Sequence, residues 1–436
     1  MKSLFNNKFL TSSFLMLLGA NLYNFGQFVF HFLAGRFLGK ALYGDLASLI
    51  SILGIVGIIQ LIFGLTIVKF ISTQKKNQVN FTRWVYWWTL WAGAFLTGVL
   101  FLVSPIMAKF LNLSQPGIIF LLPPTAALYL ITTAGRSILQ GFLKFKAYVF
   151  SLLSESVVKI VLTLIFGLLG FAIWGLMSAL LIGIASSFII TRISLKEYVA
   201  GKRDARPELK SLIQYSSATL IQGIALTSMY SMDLILVKHF FSSSEAGIYA
   251  AVAILGRIVF FAGTPVNHVM FPMVARRHSQ GESYMRILYL SLILILAVSL
   301  LITVFYSVLP NLAINILYGS SYLPGAPLLW WYGLFMSFLS LAMLFVQFFL
   351  SIGKVRIVGF FALAPIFQVL LIWFFHNDLL TVIKISVLIT ALLDVALFVY
   401  FFYLKYEKET FISNNTGLQT RQNNQKGFGK HRKSPK

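Results

Sequence analysis

Apolar runs of about twenty residues recur along the whole chain, and a helix of about that length crosses the ~30 Å hydrocarbon layer of a bilayer. Twelve such runs stand at roughly 9–34, 42–70, 84–103, 117–138, 148–168, 170–190, 212–237, 246–270, 287–308, 328–350, 357–374 and 382–403. Barrel strands would instead be ~10 residues long and alternate apolar with polar. The run that opens Ile287-Leu288-Tyr289-Leu290-Ser291-Leu292-Ile293-Leu294 does not alternate, so helices are predicted. Composition agrees. Hydrophobic residues make up 58% of the 436 and charged residues 11%, against roughly 25% charged in a soluble domain. A multidomain cytosolic enzyme is excluded. With 42 Phe, 18 Tyr and 8 Trp, so is a disordered chain.

Basic residues orient the helices. With the N-terminus in the cytoplasm, 28 of the 35 Lys and Arg fall on cytoplasmic segments, four (Arg36, Lys40, Lys109 and Lys238) on outer segments, and Lys159, Arg257 and Lys384 within helices. That bias is the positive-inside pattern. It predicts a multi-pass protein of the cytoplasmic membrane with both termini cytoplasmic. The net charge of +23 is then explained by anionic membrane lipid, with no nucleic-acid partner.

The most charged connection before the C-terminal segment divides the chain. The reading is a six-helix bundle over residues 1–195, a cytoplasmic linker over 196–211, a second six-helix bundle over 212–404, and a basic, disordered cytoplasmic tail over 405–436. Six helices per half imply parallel halves related by a pseudo-twofold along the membrane normal. A short echo at an offset of 203 agrees: Phe37, Gly44 and Ala47 match Phe240, Gly247 and Ala250.

Catalytic signatures are missing from the sequence. It has no phosphate-binding loop, no H-E-x-x-H, no nucleophile elbow and no cysteine, so neither an enzyme nor a cofactor or metal site is expected. The outer turns offer only Asp45, Glu245 and Asp378 as acids. Trp84, Trp87, Trp88 and Trp91 read as an interfacial aromatic belt. Pro123, Pro124, Pro265 and Pro365 are candidate kinks.

Ionisable residues at membrane depth are costly and mark candidate sites. At 1.5 Å per residue, Arg257 and Lys159 fall near the midplane, and Asp394 lies midway along the last span. One reading gives the two bundles a shared cationic cavity in which Arg257 binds an anionic head group through paired donors. The other pairs the charges internally, Glu155 with Lys159 at i, i+4 and Asp233 with Arg257 across helices. Asn24, Gln27 and His31 share one face of the first span. Gln222 belongs to a polar face of the seventh.

The chain resembles the polysaccharide transporter family, the Wzx-type oligosaccharide flippases of the multidrug/oligosaccharidyl-lipid/polysaccharide exporter superfamily. The resemblance rests on Phe32-Leu-Ala-Gly-Arg36-Phe-Leu-Gly-Lys40-Ala-Leu-Tyr-Gly44-Asp-Leu-Ala-Ser, Arg136-Ser-Ile-Leu-Gln-Gly-Phe-Leu-Lys-Phe-Lys146, Asp233-Leu-Ile-Leu-Val-Lys238 with Glu245-Ala-Gly-Ile-Tyr249-Ala-Ala-Val-Ala-Ile-Leu-Gly-Arg257, and Phe271-Pro272-Met-Val-Ala-Arg276. It implies two six-helix bundles in a V, alternating access, and a polyprenyl-diphosphate-linked oligosaccharide as substrate. It also implies a cationic central cavity, where Arg257 fits. The partners implied are the lipid-linked oligosaccharide, membrane lipid, and a polysaccharide polymerase or glycosyltransferase of the envelope. Asn24, Gln27 and His31 stand where the more basic lipid II flippases carry Arg or Lys, which argues against a peptidoglycan precursor. The competing reading, a cation-coupled multidrug exporter of the same superfamily, would need a more acidic cavity than Glu155 beside Lys159 supplies.

Overall fold

The computed structural model describes residues 7–73, 78–199 and 209–429. They form α1 (Asn7–Thr73), α2 (Gln78–Phe110), α3 (Leu122–Gly141), α4 (Phe145–Leu168), α5 (Ala172–Ser194), α6 (Lys196–Val199), α7 (Leu209–Phe240), α8 (Ser243–Ser279), α9 (Met285–Val308), α10 (Pro310–Tyr318), α11 (Ala326–Ser351), α12 (Ile357–Phe374) and α13 (Leu379–Gly429). Short 3-10 turns, Pro116–Leu121 and Ser320–Gly325, precede α3 and α11. No strand occurs among the described residues. An all-helical answer is what lipid demands, because each backbone N–H must find its acceptor within its own segment. Hydroxyls follow the same rule: Thr89, Thr97 and Ser104 of α2 donate to the carbonyls of Val85, Gly93 and Leu100, one turn back.

Eleven helices among the described residues are long and apolar enough to cross a membrane. The first, counted once as Leu18–Gly57, contains a reversal. Gly39 has φ 66° and ψ 176°, a conformation essentially confined to glycine. In a straight helix His31 and Tyr43 would stand about 18 Å apart along the axis. Here the Tyr43 hydroxyl is 3.3 Å from His31 Nδ1, so α1 folds back on itself into two arms. The expected boundary between the first two spans, 34–42, falls on this reversal.

Other differences from the sequence reading have physical reasons. Pro123 and Pro124 lie in the first turn of α3 rather than at a kink; there no intrahelical N–H is lost. Glu245 is not a free acid of an outer turn. With Ser242 it closes a capping box at the start of α8: Glu245 N–H donates to Ser242 Oγ at 3.3 Å, and Ser242 N–H to Glu245 Oε2 at 3.1 Å. The segment 405–429, expected to be disordered, continues α13 as helix to Gly429; extending an existing helix carries no nucleation cost. The expected linker 196–211 is described at α6 and at the start of α7, and its remaining residues, like 430–436, lie outside the described ones.

Helices α1–α5 pack mainly among themselves and α7–α13 among themselves, with α1 the bridge: it packs on both α7 and α8. The echo residues sit at that bridge. A Cβ on Gly44 would lie 2.7 Å from Gly247 N, so the two matched glycines meet and let the second arm of α1 close on α8.

Candidate functional site

The turns at Gly39, 111–115, 241–242 and 319 gather at one end of the molecule, the Gly39 end, where polar contacts join the halves. Asp45 and Lys238 form an ion pair at 2.7 Å with both side chains fully buried. Ser114 N–H donates to Asp45 Oδ2 at 2.8 Å. Lys238 Nζ donates to Asn112 O at 3.0 Å and Ser243 Oγ at 2.6 Å. Arg36 Nη2 donates to Ile316 O at 2.7 Å and its Nε to Leu317 O at 3.2 Å, capping the last turn of α10 from the other half. Tyr322 donates to Gly35 O at 2.9 Å. Asp45 and Lys238, read as residues of outer segments, are therefore interior residues of helix ends that pair across the halves.

Just inside this end the candidate residues converge. In the N-terminal half Lys159 of α4 donates to Gln27 Oε1 of α1 and lies 4.7 Å from the centre of the Phe30 ring. His31, one turn beyond Gln27, has Lys159 and Arg257 as its electrostatic neighbours. Tyr43 carries the contact onward, 3.1 Å from the Tyr318 hydroxyl. From the C-terminal half Arg257 of α8 donates to Tyr230 O of α7 and stacks on the Tyr230 ring, 5.2 Å from its centre. Arg257 is only partly buried, while Lys159 is fully buried. The structure thus brings Gln27, His31, Lys159 and Arg257 together from both halves. Asn24 lies exposed one turn from Gln27.

The internal pairing expected for these charges differs from the one found. Glu155 does not pair with Lys159. It takes Arg136 of α3, at 2.6 Å, and accepts from Tyr23 at 2.7 Å. Arg136 also donates to the hydroxyls of Ser151, at 2.9 Å, and Ser187, at 2.7 Å. A guanidinium that reaches the carboxylate through one nitrogen while its other donors are satisfied by hydroxyls suits a buried acid better than an ammonium one turn along the same helix. By its position at the end of the fourth apolar run, Arg136 counts among the 28 basic residues expected on cytoplasmic segments. Its flanking Lys144 and Lys146 made that end basic, and only Glu155, nineteen residues on, signalled a partner.

Asp233 likewise forms no ion pair with Arg257. Its Oδ2 accepts from Tyr249 and Tyr332, each at 2.8 Å, and its Oδ1 from Leu234 N–H at 2.7 Å. Tyr332 and Asp233 are both electrostatic neighbours of Arg257, so the carboxylate acts on the guanidinium through the tyrosine rather than by contact. Gln222 does not join the cluster either. It is buried and donates to Met343 Sδ of α11 at 3.4 Å, tying two helices of its own half.

Two bundles bridged by the first helical pair, with basic and neutral polar groups at their junction, define a class: the fold is that of MOP-superfamily transporters. An inward-facing multidrug resistance MATE family transporter of that superfamily superposes with a TM-score of 0.72 at 14% identity, over 87% of this chain and 96% of the other. The inward closed conformation of the lipid II flippase MurJ gives 0.72 at 14% identity, over 90% and 87%. An outward-facing MATE transporter gives 0.55 at 16% identity, over 88% and 92%. No curated protein matches the sequence. A family profile does, over residues 33–327, and the chain belongs to that family, described as polysaccharide biosynthesis protein.

Proposed function

We propose that the protein is a flippase that carries a polyprenyl-diphosphate-linked oligosaccharide from the inner to the outer leaflet of the cytoplasmic membrane, for surface polysaccharide synthesis. The observation that carries this reading is the junction itself. Lys159 and Arg257, one from each half, stand together with Gln27 and His31 just inside the closed Gly39 end. Hydration of a diphosphate and its sugars sets the barrier to unassisted crossing. Two cations with amide and imidazole neighbours replace that hydration, while the prenyl tail stays in lipid. Arg257 supplies paired donors for phosphate oxygens. Its partial exposure leaves it reachable, whereas Glu155 and Asp233 are held by Arg136 and by two tyrosines. A site in which the acids are neutralised or hydrogen-bonded, while the cations rest only on neutral partners such as Gln27 and the Tyr230 carbonyl, favours an anionic head over a cationic drug.

Polar contacts that close one end are consistent with alternating access, in which that end and the opposite one open in turn. The arrangement superposes better on an inward-facing relative than on an outward-facing one. Together with the basic-residue bias, this supports a reading in which the Gly39 end is the outer face, both termini are cytoplasmic, and substrate enters from the cytoplasm.

The test is export of the glycan in a deletion strain complemented with Arg257→Ala or Arg257→Lys. Lipid-linked sugar is expected to accumulate on the inner leaflet in the deletion strain and with Arg257→Ala, with Arg257→Lys intermediate because a point charge lacks the fork of donors. Wild-type export with both variants would remove Arg257 from the mechanism. An unchanged leaflet distribution in the deletion strain would remove the flippase reading itself.

A further inference from the structure

The C-terminal half holds one acid for which the account above has no use. Asp394, midway along the membrane span of α13, is 7% exposed, and neither of its carboxylate oxygens has a hydrogen-bond partner. It stands at the end of a polar track. Gln368 of α12 donates to Met229 O of α7 at 3.1 Å and to Ser386 Oγ of α13 at 2.8 Å. Thr390 Oγ1 donates to Ser386 O at 2.8 Å. Ser386, Thr390 and Asp394 are spaced i, i+4, i+8 and so share one face of the helix.

Among the described side chains, no unengaged counter-charge stands on the helices packed on α13, which are α11, α12 and α7. The only titratable side chain of α11 is Tyr332, which is engaged by Asp233. Helix α12 has none. From Leu220 on, α7 carries Tyr230, Asp233, Lys238 and His239. Tyr230 stacks on Arg257, Asp233 is held by tyrosines, Lys238 by Asp45, and His239 Nδ1 is 2.6 Å from Phe110 O. On α13 itself Lys384 lies ten residues, about 15 Å, before Asp394 and sits over the Trp331 ring. Tyr400 and Tyr403 lie six and nine residues, about 1.7 and 2.5 turns, beyond Asp394. A carboxylate left without donor or cation in such a place costs several kcal/mol, while the neutral acid costs at most an unmade hydrogen bond.

We propose that Asp394 is a proton-exchange site of the C-terminal half, a neutral carboxylic acid in the form closed at the Gly39 end and a carboxylate once rearrangement of α7, α12 and α13 admits water. In the release step the acid's O–H bond breaks, its electron pair stays on the carboxylate oxygen, and the proton passes to water; uptake is the reverse. This goes beyond the transport reading and does not depend on which lipid-linked molecule is carried.

The experiment is infrared spectroscopy of the purified full-length protein in lipid nanodiscs, without substrate, titrated with base. A protonated-carboxyl C=O band is expected in the wild type, lost in Asp394→Asn and displaced but retained in Asp394→Glu, which also shows that the half still folds. In parallel, the distance between spin labels placed across the Gly39 end is expected to respond to pH in the wild type and not in Asp394→Asn. Identical carboxyl bands in the wild type and Asp394→Asn would overturn the assignment, as would an unaltered pH response of the distance in Asp394→Asn. Loss of the wild-type band on adding sodium at constant pH would give the site to a metal cation and overturn the proton.

Discussion

The Asp45–Lys238 pair makes a quantitative demand on the conformational equilibrium. Both side chains are fully buried where the halves meet, and opening the Gly39 end would hydrate them. Lys238→Met keeps the apolar stem and removes the charge, leaving Asp45 buried with only the Ser114 N–H as donor. Breaking a buried pair in this way costs about 3–5 kcal/mol. The cost falls on the closed form, because an opened Asp45 is solvated. At 1.4 kcal/mol per tenfold, the closed-to-open ratio should fall by about two to three and a half powers of ten. Replacing both partners, Asp45→Leu with Lys238→Met, should recover most of it, since an apolar pair of similar volume is often neutral or stabilising. The chain has no cysteine, so Lys109→Cys and Ser320→Cys can be spin-labelled one per half at this end and their separation measured by pulsed dipolar spectroscopy. A longer distance is expected in Lys238→Met and near-wild-type spacing in the double replacement. A single variant with the wild-type distribution would show that this ion pair does not hold the halves together. If the double replacement opened as widely as the single, loss of packing rather than an orphaned charge would be the cause.

Two further outcomes follow from the packing. Arg136→Met should lower stability by about 3–5 kcal/mol by orphaning Glu155, and Arg136→Met with Glu155→Leu should regain most of it; thermal unfolding in detergent reads both, and equal losses in single and double variants would contradict the pairing. Gly44→Leu should push the second arm of α1 from α8, because even a Cβ there would lie 2.7 Å from both Gly247 N and Ser243 O; the same spin-label pair should report separation, and an unmoved distance would mean that backbone contact is not limiting.

The helices were legible in the sequence because lipid imposes a length and a hydropathy on every crossing. The reversal at Gly39 was legible because a break separates two apolar runs. Arg257 and Lys159 were found at depth for the same reason, each being a charge inside an apolar run. Arg136, Asp45 and Lys238 were assigned to loops or outer segments because they lie near the ends of runs, where a charge is ordinarily solvated. Their burial depends on a partner from another helix, in the case of Asp45 and Lys238 a partner 193 positions away, and no local pattern records that. The i, i+4 rule named Lys159 for Glu155, but it weighs only neighbours on one helix. Arg136 lies on the next helix with a better-shaped donor set.

The meeting of Gly44 with Gly247 limits what either position can become. Each glycine is bounded by the backbone of the facing helix, so neither can gain a side chain unless that helix moves, and a bulky replacement on one side has no counterpart to share the displacement.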